Sequence, residues 1–225
     1  MRGAFARLRP WLLALLVVGA GGAALTVWRT PVEFELGYAY ETGNFHGWTL
    51  GFARNHARAA YWLDKAAEQG HPRAQYLLGL LYAHGWGVPG SDRRALHWFA
   101  AAAHNGYVQA MYHLGWMYHK GDGVARDRAA GLALMRRAAD RGMAGARLAL
   151  GEFYERGQGV PADPVQALKW YLLAVRSCRT RPEVFGNGAR KTGALAARDR
   201  LLSRLSPSDV GMSRRLAHQW RAAPQ

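Results

Sequence analysis

The sequence predicts an all-α chain: an α-solenoid of antiparallel helix pairs, preceded by an N-terminal transmembrane or signal helix and followed by C-terminal capping helices. Three observations support this fold class. A segment of 36 residues recurs along the chain, its apolar residues follow the helical period, and an uncharged run lies near the N-terminus. With 225 residues and 50% hydrophobic composition, the chain is long enough to bury a core.

The N-terminal segment, residues 1–30, carries four arginines and no acid, and residues 10–28 are uncharged. As a helix, residues 11–28 would span about 27 Å, close to the thickness of a bilayer core. The arginines before the run predict a cytoplasmic N-terminus and a repeat domain outside the cytoplasm, on the periplasmic side in a bacterium. We expect a single-pass anchor. The alternative is a signal peptide cleaved among the small residues 19–24, which would leave a secreted or periplasmic protein.

The formal net charge of +15 is concentrated at the two ends of the chain. Residues 1–30 contribute +4, residues 31–175 contribute +3 and residues 176–225 contribute +8. Because the middle is nearly balanced, the charge does not point to nucleic acid as a partner. The basic C-terminal region could instead hold an anionic polymer or lipid. The single cysteine, Cys178, excludes an internal disulfide.

Residues 84–90, HGWGVPG, show the G-x-G-x-x-G spacing of a dinucleotide-binding loop. That fingerprint requires a preceding strand, whereas the apolar residues of the segment before it, residues 73–83, follow the helical period. The loop therefore joins two helices, and we expect no dinucleotide or other cofactor.

The glycines of this loop belong to an internal repeat. Three copies align at a spacing of 36 residues: AQYLLGLLYAHGWGV from Ala74, AMYHLGWMYHKGDGV from Ala110 and ARLALGEFYERGQGV from Ala146. The shared structural positions are Gly79, Tyr82, Gly85 and Gly87, then Gly115, Tyr118, Gly121 and Gly123, and finally Gly151, Tyr154, Gly157 and Gly159. An earlier copy, in residues 36–43 and 59–70, has six extra residues in its loop.

The shared glycines have mechanical explanations. Gly79 and its counterparts lie within a helix, where glycine costs about 1 kcal/mol relative to alanine, so we expect a second helix to approach the backbone there. Small residues of that second helix, Ala102 and Ala103, are the expected partners. Gly85 and its counterparts follow the helix and suit the left-handed conformation of a helix C-terminus. The aligned Asp127 and its counterparts suit the N-cap of the next helix.

The combined pattern A-x-x-x-L-G-x-x-Y-x-x-G-x-G-V, followed by D, A-L, W and A-A-x-x-G, resembles the Sel-1-like repeat, a relative of the tetratricopeptide repeat. The resemblance covers residues 34–178. It implies four helix pairs, in residues 34–72, 73–108, 109–144 and 145–178. It also implies an α-solenoid whose concave face holds a partner protein, in a scaffold or adaptor role that in bacteria often belongs to the cell envelope.

The C-terminal region, residues 179–225, predicts a basic helical cap. Residues 189–205 form an amphipathic pattern, and Ser206 with Pro207 begins another helix as N-cap and first residue. Both helices could shield the last repeat, because a solenoid needs a cover for its open end. The loop between Cys178 and Ala189 predicts a longer connection than the repeat turns.

No catalytic motif emerges from the sequence, so we expect a non-enzymatic protein. The pair His97 and His104 lies on one helix face about 10 Å apart, too far for one ion without a third ligand, and no metal site is expected. The rival interpretation is an envelope hydrolase acting on a β-lactam or on peptidoglycan. Its basis is an analogy with cysteine-rich relatives that carry a cysteine pair in each repeat, which this chain lacks.

Partner contacts are expected at positions that differ among the copies while their neighbours stay fixed. The predicted contact residues are Leu77, Leu80, Tyr112, His113, Trp116, His119, Ala149 and Glu152. Trp116 is favoured because an exposed tryptophan in a groove is a frequent contact residue. The alternative is that Trp116 only packs between adjacent repeats.

Overall fold

The computed structural model of the chain describes residues 24–42, 54–180 and 189–220. Within these ranges the chain forms helices joined by turns and contains no strand. The helices are α1 (Ala24–Thr42), α2 (His56–Glu68), α3 (Pro72–His84), α4 (Asp92–His104), α5 (Val108–Lys120), α6 (Arg128–Asp140), α7 (Ala144–Arg156), α8 (Pro164–Thr180), α9 (Ala189–Leu202) and α10 (Pro207–Gln219). The predicted all-helical repeat solenoid is confirmed.

The first eight helices form four consecutive pairs, α1–α2, α3–α4, α5–α6 and α7–α8, which we number as repeats 1 to 4. Each second helix also packs against the first helix of the next repeat. Every repeat thus shares its core with its neighbours, as expected for units too small to bury an apolar face alone.

The predicted anchor or signal segment lies mostly outside the described residues, which begin at Ala24. From there α1 continues without a break into the first repeat. None of the helices in the described ranges combines the length and the apolar character that a membrane span needs.

Each pair closes around the glycine of its first helix. A Cβ at Gly79 would lie 2.7 Å from the ring of Phe99, and one at Gly115 would lie 3.1 Å from the carbonyl oxygen of Gly131. At Gly151 it would overlap the ring of Tyr171. The predicted close approach is therefore confirmed, because each glycine leaves room for the second helix of its own pair.

The partner predicted for this contact was wrong. Ala102 and Ala103 are buried elsewhere in the core, and the glycine faces the position occupied by Phe99. Helical spacing explains the difference, since Phe99 lies one turn before Ala103 on α4. The same position recurs at 36-residue spacing as Leu63, Phe99, Met135 and Tyr171.

The first glycine of each G-x-G ends a helix in the left-handed conformation, as predicted. Gly85, Gly121 and Gly157 have φ values of +68°, +91° and +67°, and their N–H groups donate to carbonyls of the preceding turn. A side chain at these positions would be strained.

The second glycine has a separate role that the sequence did not suggest. Gly87 and Gly123 also have positive φ, and each lies against the start of the preceding repeat's second helix. A Cβ at Gly123 would lie 2.6 Å from the backbone carbon of Asp92. The loop of one repeat is therefore pressed against its neighbour, and only glycine allows this contact.

The predicted N-caps are confirmed. The side chains of Ser91, Asp127 and Asp163 accept hydrogen bonds from the N–H groups of Arg94, Ala130 and Gln166, at 3.3, 2.9 and 2.9 Å. The N–H groups of the same three residues donate to the carbonyls of Tyr82, Tyr118 and Tyr154. Each cap thus closes its loop onto the first helix of the same repeat.

The two C-terminal helices both pack against α8. On α9, Leu201 joins a small core with Leu168 and Tyr171, and the helix ends at Leu202, three residues before the predicted end. On α10, the hydroxyl oxygen of the buried Ser213 lies 3.0 Å from the carbonyl oxygen of Val165 on α8 and 2.9 Å from that of Asp209 on its own helix. The hydroxyl can donate to either carbonyl. The connection between α8 and α9, residues 181–188, for which a longer length than that of the repeat turns was predicted, lies outside the described residues.

Candidate partner-binding surface

The first helices of the repeats share one incompletely buried face. Residues three, four and seven positions apart lie on the same side of a helix. Most of these positions recur in the first helix of successive repeats because the repeats share one register. We call these side chains the first-helix face: Phe34 and Tyr38 on α1, Arg73, Tyr76 and Leu80 on α3, Tyr112, Trp116 and Lys120 on α5, and Leu148 and Glu152 on α7. Most of them are half-buried, and Phe34 is buried.

Trp116 lies at the centre of this face and links two repeats. Its ring meets Tyr112 edge to face at a centroid distance of 6.3 Å and Phe153 of repeat 4 at 5.4 Å. It remains half-buried despite these contacts. Packing between repeats therefore holds the indole in place without removing it from the surface, and its contact with a partner stays a prediction.

His113 fills the space between repeats 2 and 3. Its ring stacks on Phe99 at 5.2 Å, and its Nε2 lies 3.4 Å from the hydroxyl of Tyr76. The predicted contact residues Leu77 and Leu80 are also half-buried and pack against the core. All three keep some accessible surface, so their proposed role is compatible with their placement.

Two of the predicted contact residues are buried, which corrects their assignment. Ala149 is only 2% exposed, and His119 is 9% exposed. The ring of His119 stacks on Phe153 at 4.3 Å. Burial and then Arg128 lower the pKa of His119 below its ordinary value, which favours the neutral ring.

Glu152 and Glu155, one turn apart on α7, have opposite pKa shifts. Burial raises the pKa of Glu152, and the charge of Arg156 opposes this rise only in part. Burial also raises the pKa of Glu155, but hydrogen bonds from Arg200 and Tyr171 more than offset it, and its pKa is lowered. Both oxygens of Glu155 accept these bonds, at 2.7 to 3.1 Å. The carboxylate of Glu155 therefore joins α7 to α8 and α9 through these contacts.

Two cations of the first-helix face lie over aromatic rings. The guanidinium of Arg73 lies 4.5 Å from the ring centroid of Tyr38 and 5.3 Å from that of Phe34. The ammonium of Lys120 lies 5.8 Å from the ring of Trp116. In the part of the chain that the structure describes, neither cation forms an ion pair with a carboxylate.

Within the described ranges, no group of three or more histidine, cysteine, aspartate or glutamate side chains is placed to hold a metal ion. His97 and His104 are exposed on α4. The structure therefore supplies no third ligand for this pair from the described residues.

Comparison with known families gives the repeat its name. The family model for the Sel1 repeat matches residues 31–71, 72–107, 108–143 and 144–177. The chain belongs to the Sel1 repeat family. Sel1 repeats mediate protein–protein interactions, which is consistent with an adaptor or scaffold role for this chain. No curated protein matches the sequence.

Solved structures of Sel1 repeat proteins show the same fold. The chain is similar to the Sel1 repeat protein of Oxalobacter formigenes, at 26% identity and a TM-score of 0.65, over 92% of this chain and 80% of that one. It is also similar to c5321, a protective antigen present in uropathogenic Escherichia coli strains that displays an SLR fold. That similarity has 27% identity and a TM-score of 0.53 over 84% of this chain, which spans 45% of the antigen.

Sequence comparison of the repeats missed several members of the first-helix face. The prediction selected positions whose residue type differs most among the copies while the adjacent positions stay the same. Tyr38 and Tyr76 were not selected because other positions show this difference more strongly. Arg73 was missed because its aromatic neighbour belongs to the preceding repeat. One signal was present in the sequence: α3 and α5 each contain a single Lys or Arg and no Asp or Glu.

Proposed function

We propose that this Sel1 repeat protein is a non-enzymatic scaffold or adaptor of the cell envelope that binds a partner protein through the first-helix face. The observation that carries the proposal is that α1, α3 and α5 each place half-buried aromatic side chains on this face: Tyr38, Tyr76, Tyr112 and Trp116. Tyrosine and tryptophan are enriched at protein interfaces because they combine a large apolar area with a polar group. The family's role in protein–protein interaction supports the same assignment.

The proposal places the protein at a membrane through residues 11–28, with the repeats outside the cytoplasm. Its support is the uncharged run and the arginines before it. We expect the full chain to resist alkaline carbonate extraction and its repeats to be digested by protease only after the outer compartment is opened. Release of the full chain by carbonate would contradict the anchor, and a shortened N-terminus would identify a cleaved signal.

Site-specific photocrosslinking tests the binding face. A photoreactive amino acid at Tyr112 would report contacts of the first-helix face, and one at the exposed Ala133 on α6 serves as the matched control. We expect a specific crosslinked protein from position 112 in native membranes and none from position 133. The adduct should be lost on Trp116→Leu while helicity is retained. Equal adducts from both positions would contradict the proposed face.

A second candidate function is binding of an anionic polymer or lipid by the basic cap. Arg204 follows α9, and Arg214 and Arg215 lie on α10; all three are exposed and form no ion pair within the described residues. Such binding should weaken steeply with salt. Binding of the full chain to anionic vesicles that is equal at low and high salt would argue against this candidate.

A further inference from the structure

The two cations of the first-helix face lie over aromatic rings and form no ion pair with a carboxylate of the described residues. Arg73 contacts the rings of Tyr38 and Phe34, and Lys120 contacts the ring of Trp116. An arginine on an aromatic ring retains N–H donors that can bind a carboxylate in a bidentate manner. Both cations are exposed, so a ligand can reach them.

The central part of the face contains no carboxylate. Helices α3 and α5 have no Asp or Glu, whereas α1 and α7 at the two ends do. The central charge is therefore of one sign, next to the aromatic rings of Tyr112 and Trp116. Electrostatic complementarity favours a negatively charged partner here and disfavours a positively charged one.

We infer that the first-helix face binds an extended peptide segment of the partner protein that carries carboxylates beside apolar side chains. The carboxylates contact Arg73 and Lys120, and the apolar side chains contact the rings between them. This inference rests on the proposed function, because it specifies the partner of the same surface. A basic or uncharged segment would leave both cations without a partner.

The register of the repeats sets the spacing of the carboxylates. Lys120 occupies on α5 the position that His84 occupies on α3, because 36 residues separate the two. Since His84 lies 11 residues after Arg73, the two cations are offset along the helix axis by 11 helical positions. Eleven residues correspond to about 16 Å along the helix axis. An extended peptide advances about 3.3 Å per residue, so its two carboxylates should be about five or more residues apart.

Selection from a random peptide library tests the predicted chemistry of the partner segment. The full chain in detergent is presented to phage that display random twelve-residue peptides. We expect the selected peptides to be enriched in Asp and Glu next to aromatic or aliphatic residues. One selected peptide is then synthesised in its acidic form and with every Asp and Glu replaced by Asn and Gln.

Binding of both peptides is measured by fluorescence anisotropy. We expect Arg73→Gln and Lys120→Gln each to weaken binding of the acidic peptide by about five- to tenfold, since each removes a charge-assisted contact. The amide peptide should bind weakly and equally to all variants. Exposed arginines of second helices supply matched controls: Arg93→Gln and Arg137→Gln should change the affinity by less than about twofold, because they lie outside the face.

The outcomes separate this inference from the proposed function. Peptides that lose binding on Trp116→Leu, yet show no acidic enrichment and do not respond to Arg73→Gln or Lys120→Gln, would overturn the inference and leave the binding face intact. Failure to select any peptide, or binding unaffected by all three substitutions, would also overturn the inference. The proposed function is then decided by crosslinking from position 112.

Discussion

Cations lie over aromatic rings both in the centre of the solenoid and at its C-terminal end, but their other partners differ. In the centre, Arg73 and Lys120 are exposed and pair with no described carboxylate. At the end, the guanidinium of Arg147 lies 4.5 Å from the ring of Trp220, and Arg200 forms a salt bridge with Glu155 at 2.8 Å.

The contacts at the end join the capping helices to the repeats. Arg147 is buried, and its Nε donates to the carbonyl of Ala139 at 3.2 Å while its Nη1 donates to Ser177. Burial, only partly opposed by Asp140, lowers the pKa of Arg147 to about 10. Trp220 donates its indole N–H to the carboxylate of Asp140 at 3.3 Å.

The difference separates two roles for a cation next to a ring. The central repeats are already closed by contacts such as that between Gly79 and Phe99, so the cations there add little to the joint. The capping helices are not part of the repeat, and polar contacts there add to the apolar core that Leu201 forms with Leu168 and Tyr171. Removing a cation should therefore reduce binding in the centre and stability at the end.

The largest expected loss comes from filling a central joint. Gly79→Leu should destabilise the protein by about 1–3 kcal/mol or more, because its side chain would force apart α3 and Phe99. The same substitution at Gly193 on α9, where a Cβ meets nothing within 4 Å, should be neutral or stabilise by up to about 1 kcal/mol. Thermal and urea unfolding measure both. Equal losses at the two glycines would show that Gly79 does not form a tight joint.

Replacing Arg147 should cost less, and the chain's own repeats supply the variants. The aligned Gln75 makes the same contact to the end of the preceding helix, from its Nε2 to the carbonyl of Ala67 at 3.1 Å, whereas the aligned Met111 has no polar donor. We expect Arg147→Met to destabilise by about 1–2 kcal/mol and Arg147→Gln by roughly half of that. Urea unfolding checks the order, and a loss as large for Gln as for Met would contradict it.

The smallest expected effect on stability is a dependence on pH at the Arg200 contact. The lowered pKa of Glu155 means that its stabilisation is present at neutral pH and is lost as the pH falls below the ordinary value of 4.5. The pKa of Glu152 is shifted in the opposite direction. Because Glu152 is present both in the original protein and in Arg200→Gln, its contribution largely cancels when the two are compared. Arg200→Gln should therefore reduce the acid-induced loss.

The exposed position of Arg200 limits this effect to less than about 1 kcal/mol. Hydrogen exchange of α9 between pH 3 and pH 7, measured for both proteins, isolates it from global unfolding. The exchange rates are first corrected for the intrinsic effect of pH. We then expect the rate of α9 to rise more between pH 7 and pH 3 in the original protein than in Arg200→Gln. An equal rise in exchange in the two proteins would show that the contact between Arg200 and Glu155 does not cause the pH dependence.

The repeat itself could be predicted because its signals are local and fixed in spacing. The left-handed Gly85 and the N-cap Asp127 depend on residues within one turn. The partner of Gly79 could not be chosen correctly, since it depends on how α4 is rotated against α3. The second glycine, Gly87, was not explained because its contact lies in the preceding repeat.

The candidate surface was predicted only in part. Variation among the copies selected Trp116 and Leu80 on the first-helix face, but also the buried Ala149. Variation arises both where a partner binds and where neighbouring side chains pack, and one sequence does not separate the two. The contact of Arg147 with Trp220 occurs once and joins segments that are distant in the sequence. It therefore leaves no repeated pattern from which it could be predicted.

The most direct test measures stability and binding on the same set of four substitutions. For Arg73→Gln, Lys120→Gln, Arg147→Gln and Arg200→Gln, unfolding free energy and affinity for the selected acidic peptide are determined in parallel. We expect the first two to weaken binding with stability unchanged within about 0.5 kcal/mol, and Arg147→Gln to lower stability while binding is retained. Arg200→Gln should also retain binding. Loss of stability on Arg73→Gln equal to that on Arg147→Gln, with peptide affinity unchanged, would contradict the distinction between a binding centre and a structural end.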